Sequence, residues 1–166
     1  METPTLARWL SPLGTIIVAA TSRGLAGLWF EGQKHLPDLR GWPEDPSHPV
    51  LVQAIAQLRE YFAGTRSAFD LALDLQRGTD FQQSVWRALL AIPAGRTSSY
   101  RGICEAIGKP AAARAVGAAV GRNPLSIVVP CHRVLGTDGS LTGYAGGLER
   151  KSALLRLEGA LMTAAH

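Results

Sequence analysis

The alternation of apolar and polar positions changes period along the chain, and each change marks a different kind of element. Within residues 1–30, short apolar runs rich in β-branched residues are separated by turn signals. Ala7 to Leu10, Thr15 to Ala20 and Leu25 to Phe30 read as three strands, parted by Ser11-Pro12-Leu13-Gly14 and Thr21-Ser22-Arg23-Gly24. Tight connections of that kind predict an antiparallel meander. Residues 31–49 are rich in Pro, Gly, Asp and His and read as a loop. From Val50 to Ala63 the spacing turns helical, with Leu51, Ile55, Leu58 and Phe62 on one stripe and Gly64 as the stop. The period then returns to two. Phe69, Leu71, Leu73 and Leu75 alternate with Ala68, Asp70, Ala72 and Asp74, which predicts a half-buried strand.

Gln76-Arg77-Gly78 reads as a linker, dividing the chain into an N-terminal β-containing domain, 1–78, and a C-terminal domain, 79–166. The second part is mostly helical. Thr79 and Gln82 form a capping box ahead of Phe81, Val85, Trp86 and Leu89, and Pro93-Ala94-Gly95 ends that helix. Ser98 or Ser99 caps a helix from Tyr100 to Ile107, closed by Gly108. After Lys109-Pro110 comes a helix over 111–121, so the pair has a helix-turn-helix pattern. Asn123-Pro124 ends it, because proline pushes its predecessor into extended geometry. Leu125 to Val129 is a short apolar run that should be buried. A last helix spans about 148–158, with Leu148, Leu154 and Leu155 inward.

Composition narrows the class. At 166 residues and 46% hydrophobic, the chain can bury a real core. No apolar run approaches the roughly 18 residues of a membrane span. The N-terminus lacks the pattern of a signal peptide. Two cysteines do not make a disulfide framework, so the expected location is the reducing cytoplasm. Charge is uneven: residues 1–78 carry 7 Lys/Arg against 8 Asp/Glu, and residues 79–166 carry 10 against 5. A basic half suggests a polyanion as partner, although a merely soluble surface would look the same.

The candidate chemistry sits at Pro130-Cys131-His132-Arg133-Val134. A free thiol has a pKa of about 8.5, so it needs a base or a positive field to become a nucleophile. His132 is adjacent, and it can act through a bridging water. Glu158 closes the last helix, where the dipole disfavours a carboxylate, so a partner such as a histidine is expected there. The plain alternative is a small buried cysteine beside a structural histidine. Cys104 falls on the apolar face of its helix and reads as structural. The helix over 111–121 is also unusual. Ala111, Ala112, Ala113, Ala115, Gly117, Ala118 and Ala119 offer little to read base edges in a major groove. They permit close backbone approach, and Arg114 stands alone among them. An ordinary packed helical hairpin remains the other reading. A DNA-binding sensor without transfer activity and a cysteine hydrolase are the competing classes.

Residues 79–159 resemble the O6-alkylguanine-DNA alkyltransferases, the methylated-DNA–protein-cysteine methyltransferases. The matching stretches are Phe81-Gln82 with Val85-Trp86, Ile92-Pro93-Ala94-Gly95, Ser99-Tyr100, Arg114-Ala115-Val116-Gly117, Asn123-Pro124, Pro130 to Val134 and Gly143-Tyr144-Ala145-Gly146-Gly147-Leu148, with Lys151, Leu154-Leu155 and Glu158. The resemblance implies an α/β (α+β) fold: a small ribonuclease-H-like antiparallel-sheet domain followed by a mostly helical domain with the helix-turn-helix. It implies that Cys131 accepts the alkyl group of O6-methylguanine, and also of O4-methylthymine, once per molecule. His132 and Glu158 would form the thiolate relay, Asn123 would hold the turn, and Tyr100 would help rotate the nucleotide and donate a proton. Arg114 would fill the gap left by a flipped nucleotide in the minor groove of double-stranded DNA, with Tyr100, Arg101, Lys109, Ala112 and Ala113 as further DNA contacts. Val134, Tyr144, Ala145 and Gly146 would line the base pocket. No cofactor is implied. Some relatives carry zinc near the N-terminus, but residues 1–78 hold no cysteine, so no metal is expected. The resemblance also implies a monomer in solution, with assembly on DNA left open.

Overall fold

The computed structural model describes residues 2–161, so the last five residues of the expected C-terminal domain lie outside the described residues. Three strands, β1 (Thr5–Ser11), β2 (Gly14–Thr21) and β3 (Gly24–Phe30), pair antiparallel in the order β1-β2-β3. In the register, Trp9 faces Ile16 and Val18 faces Leu28. β3 is buried along its whole length because the sheet is covered on both faces. Val18, Leu28 and Phe30 belong to the main core, which α1 (Pro49–Phe62) joins through Leu51, Ala54, Leu58 and Tyr61. Leu6, Ile17, Ala19 and Trp29 lie in a second cluster, covered by Leu36, Leu39 and Trp42 of the 31–48 loop.

The buried stripe of α1 therefore runs through Ala54 and Tyr61, while the expected Ile55 and Phe62 sit half-buried at its edge. Residues 69–75 depart further from expectation. They alternate in exposure as a strand would, but pair with the sheet only through a bridge between Leu73 and Leu25. Gln57 of α1 takes up both backbone groups of Asp70, accepting from its N–H and donating to its carbonyl. A side chain thus replaces the neighbouring strand.

Beyond the linker, α2 (Asp80–Leu90) starts on the expected capping box, with both reciprocal hydrogen bonds between Thr79 and Gln82 formed. Such a cap is worth about 1 kcal/mol. Ser99 caps α3 (Tyr100–Ala106). α4 (Ala113–Gly121) begins two residues later than its alanines predict, because the Ala112 N–H closes a turn onto the Lys109 carbonyl. The indole N–H of Trp86 donates to the Ala119 carbonyl at 2.8 Å and ties α2 to α4. Two short strands, β4 (Ser98–Ser99) and β5 (Val134–Leu135), pair in parallel. α5 (Leu148–Leu157) is the last element. Its inward face carries Lys151, Leu154 and Leu155. Leu148, expected inside, is about half exposed at the helix start. One contiguous core reaches from Ala7 to Leu154 and so spans both sides of the linker. Among the described residues, no helix is long and apolar enough to cross a membrane.

Candidate active site

The run Leu125 to Val129 is buried, but it forms a tight turn rather than a strand. Leu28 of β3 donates to the Pro124 carbonyl, and Ser126 donates back to the Leu28 carbonyl. Ile127 then adopts φ 72°, a left-handed conformation that a β-branched residue rarely takes. Asn123 holds this turn from inside. Its Nδ2 donates to the Val129 carbonyl at 2.7 Å, and its Oδ1 accepts from Leu125 N–H at 3.0 Å. The chain leaves through Pro130 into a single 3-10 turn, Cys131–Arg133, which places three buried functional side chains in succession.

Cys131 lies at the floor of a cavity of about 200 Å³. The walls are Tyr100 from the start of α3, Gly117, Val120 and Gly121 from α4, and Gly143, Tyr144 and Ala145 from the loop before α5. Lys34 and His35 complete the lining. Burial pushes the Cys131 thiol up to about 11, against a hydrogen bond from Asn123 and the nearby Lys151 ammonium. The resting site therefore favours the neutral thiol, and ionisation has to be driven.

His132 is fully buried and its Nε2 lies 2.7 Å from Glu158 Oε2. Burial lowers the imidazole pKa and outweighs the carboxylate, so the ring is neutral and able to take a proton. Its Nδ1 has no hydrogen-bond partner among the described residues. Glu158 caps the C-terminus of α5, and its site supplies the partners that position demands. Arg133 donates from Nε to Oε1 and from a terminal nitrogen to Oε2, both at 2.8 Å. Burial alone would raise this carboxyl, but hydrogen bonds from Arg133, His132 and Tyr61 hold it at about 2. Arg133 also donates to the Ile92 carbonyl at 2.6 Å, anchoring the pair to the end of α2.

The structure thus brings Cys131, His132, Asn123, Glu158, Tyr100, Tyr144 and Ala145 into one constellation. Val134 is buried next to it, with its carbonyl accepting from Lys151 Nζ, and does not line the cavity. Gly146 is buried behind Tyr144, where a Cβ would lie 2.7 Å from the ring. Arg101, Lys109, Ala113 and Arg114 are exposed, and Ala112 is half-buried, on the outer side of α3 and α4.

Sequence reasoning found no site residue in the N-terminal half, yet that half supplies three. The Tyr61 hydroxyl donates to Glu158 Oε2 at 2.6 Å across 97 positions of sequence. Lys34 and His35 stand at the cavity. Lys151, matched in sequence but given no role, is fully buried. Its ammonium donates to the carbonyls of Val134 and Thr142 at 2.6 Å and of Gly143 at 3.3 Å. Burial brings it down to about 8. It ties the loop carrying Tyr144 to β5. Besides that match, the sequence signal for Lys151 is a charge on an apolar helix face, and Tyr61 has none.

Residues 80–160 match the family model described as 6-O-methylguanine DNA methyltransferase, DNA binding domain. Residues 9–75 match its ribonuclease-like domain. A methylated-DNA–protein-cysteine methyltransferase of Mycolicibacterium paratuberculosis is 52% identical over 148 residues, covering 89% of this chain and 88% of that protein. One from Methanosarcina barkeri is 49% identical, covering 89% and 92%. A crystal structure of Mycobacterium tuberculosis OGT in complex with DNA superposes with a TM-score of 0.87 at 49% identity, covering 94% of this chain and 93% of that one.

Proposed function

From the premise that this chain belongs to the 6-O-methylguanine DNA methyltransferase family, we propose that it repairs DNA by moving the alkyl group of O6-alkylguanine onto its own Cys131. O6-methylguanine is the main substrate and O4-methylthymine a second. The observation that carries this reading is the placement of Cys131 at the floor of an open cavity, next to a His132–Glu158 pair held by Arg133. The relatives' names and the DNA complex of the mycobacterial protein support DNA as the partner.

The target carbon is shielded in a stacked duplex, so the nucleotide must be rotated out, at a cost of roughly a few kcal/mol. The division into 1–78 and 79–166 gives the second part that task. α4 enters the minor groove, where its exposed Ala113, Ala115 and Ala118 allow close approach. Arg114 fills the vacated position in the stack. Arg101, Lys109, Ala112 and Ala113 contact the backbone, and Tyr100 guides the rotated nucleotide.

From the cavity, the Cys131 proton passes through a bridging water to Nδ1 of buried His132, and Glu158 stabilises the imidazolium. Asn123 and Lys151 stabilise the thiolate. Sulfur then attacks the alkyl carbon in line. The S–C bond forms, the C–O6 bond breaks, and the electron pair stays on guanine, which takes a proton from Tyr100. Tyr100 and the backbone near Ala145 meet the developing charge, with Tyr144 against the ring and Val134 and Gly146 behind the lining. The product is a thioether, a bond that resists hydrolysis, so each molecule acts once. The protein works as a monomer in the cytoplasm, where both cysteines, free and buried, stay reduced.

Intact mass and peptide mapping after incubation with O6-methylguanine DNA test this reading. One methyl on Cys131, saturating at one per chain, is the expected result. Tight binding without an adduct overturns it in favour of a damage sensor. Repeated release of product overturns it in favour of a hydrolase.

A further inference from the structure

We propose that the loop after β3 forms a second wall of the DNA cleft, with Lys34 holding a backbone phosphate of the strand whose nucleotide enters the cavity. The inference rests on the proposed function, because it needs an extrahelical nucleotide in the Cys131 cavity.

Lys34 and His35 line the same cavity as Cys131, together with Gly117, Val120 and Gly121 of α4. Their position is built rather than incidental. Gln33 is buried; its Oε1 accepts from the Phe30 N–H at 2.9 Å and its Nε2 donates to the Lys34 carbonyl at 3.1 Å. The Lys34 N–H donates to the Ala145 carbonyl at 3.1 Å. Both backbone groups of Lys34 are therefore fixed, one to its own loop and one to the loop that carries Tyr144. His35 follows at φ 61°, a left-handed conformation that turns the chain away. The two side chains are left exposed at the cleft.

Charge points to the ligand. Residues 1–78 carry one more acidic than basic residue, so a cation at the cleft is not part of a general basic coat. Lys34 has no ion pair among the described residues, and of the seven Lys and Arg side chains in residues 1–78 it is the one that lines the Cys131 cavity. Among the described residues no carboxylate lines the cavity, so the anion that Lys34 meets comes from what enters it. A lysine ammonium is a flexible point charge suited to phosphate rather than to reading a base edge. A bound duplex and free phosphate share that chemistry.

The test compares Lys34→Ala with unaltered Lys34, both on Cys131→Ala so that binding is not followed by transfer. Affinity for a duplex containing O6-methylguanine is measured across a salt series, with inorganic phosphate as competitor at fixed ionic strength. In otherwise unaltered chains, alkylation by the free O6-methylguanine base is measured in parallel. The expected results are a loss of about threefold to tenfold in duplex affinity at low salt, a log–log salt slope shallower by about 1, and a smaller change in reaction with the free base. His35→Ala should lower affinity less. Unchanged affinity and slope overturn the proposal. So does an equal loss with the free base, which would place Lys34 on the base, or competition by phosphate equal to that by duplex, which would make the site one for the free ion. An unaltered chain that binds duplex with the full slope but never gains a methyl sinks the transfer reading alone.

Discussion

The two halves of the chain reach the same site by different routes. In the C-terminal half, most groups of the cavity and of the ion pair behind it lie in short runs: Cys131 to Arg133 on one 3-10 turn, Gly143 to Ala145 on one loop, and Gly117, Val120 and Gly121 on one helix. In the N-terminal half, the contributors are scattered over a loop and a helix, at Lys34, His35 and Tyr61. The difference follows from what each half does. Chemistry needs several groups within hydrogen-bond reach, and a single tight turn is the most economical way to place neighbours there. Support from outside needs only one well-aimed group per element, and the shared core already holds those elements in place. A local signature therefore marks the first kind of residue and leaves the second kind unmarked.

That contrast can be tested from its strongest point downward. Cys131→Ala should abolish alkyl transfer while leaving duplex binding intact; any methyl still gained by the chain would contradict the assignment. His132→Gln should come next. Transfer at neutral pH should fall by about two orders of magnitude or more. It should then climb about tenfold per pH unit toward the thiol's value of about 11, because ionisation would no longer be relayed. If His132 were merely structural, single-turnover rates of the variant and of the unaltered protein would follow the same pH profile.

Glu158→Gln removes the carboxylate that faces buried Arg133 and His132. A loss on the order of 3 kcal/mol is expected in urea unfolding, because an uncompensated buried charge remains. The sign of its pH dependence is fixed. The folded carboxyl is held at about 2, below its ordinary 4.5, so its contribution is complete above that ordinary value and fades as pH falls toward 2. The variant should lack this fade, and parallel curves for the two proteins would refute the linkage.

Arg114→Ala should slow transfer from duplex by roughly tenfold and spare the free base, since about 1–2 kcal/mol of the flipping cost would go unmet. Equal slowing of both would remove Arg114 from the flipping step. Tyr61→Phe probes the other half. It deletes one hydrogen bond to a charged acceptor, so a loss of about 1.5 kcal/mol and a severalfold drop in transfer are expected. Unchanged stability and rate would mean that Arg133 alone positions Glu158.

Much of this was legible in the order of residues. The three strands, the capping box at Thr79, the helix stops and the Asn-Pro turn all rest on interactions within a few positions, so local chemistry determines them. The same holds for Cys131 beside His132, and for a carboxylate at a helix end that calls for a partner. What the sequence left open depended on contacts between distant segments. Phe69 to Leu75 has the alternation of a strand, yet Gln57 takes the backbone groups of Asp70 that a neighbouring strand would have used. Leu148 has the spacing of a core residue, yet the inward face of α5 is set by Lys151, whose ammonium finds three carbonyls. Tyr61 looks like one more apolar position of α1, and only the packing of that helix against the end of α5 brings its hydroxyl to Glu158. Period and capping are properties of neighbours in the chain. Which buried polar group meets which is decided by the tertiary fold, because the cost of leaving such a group unpaired is met by whatever partner the packing brings within reach.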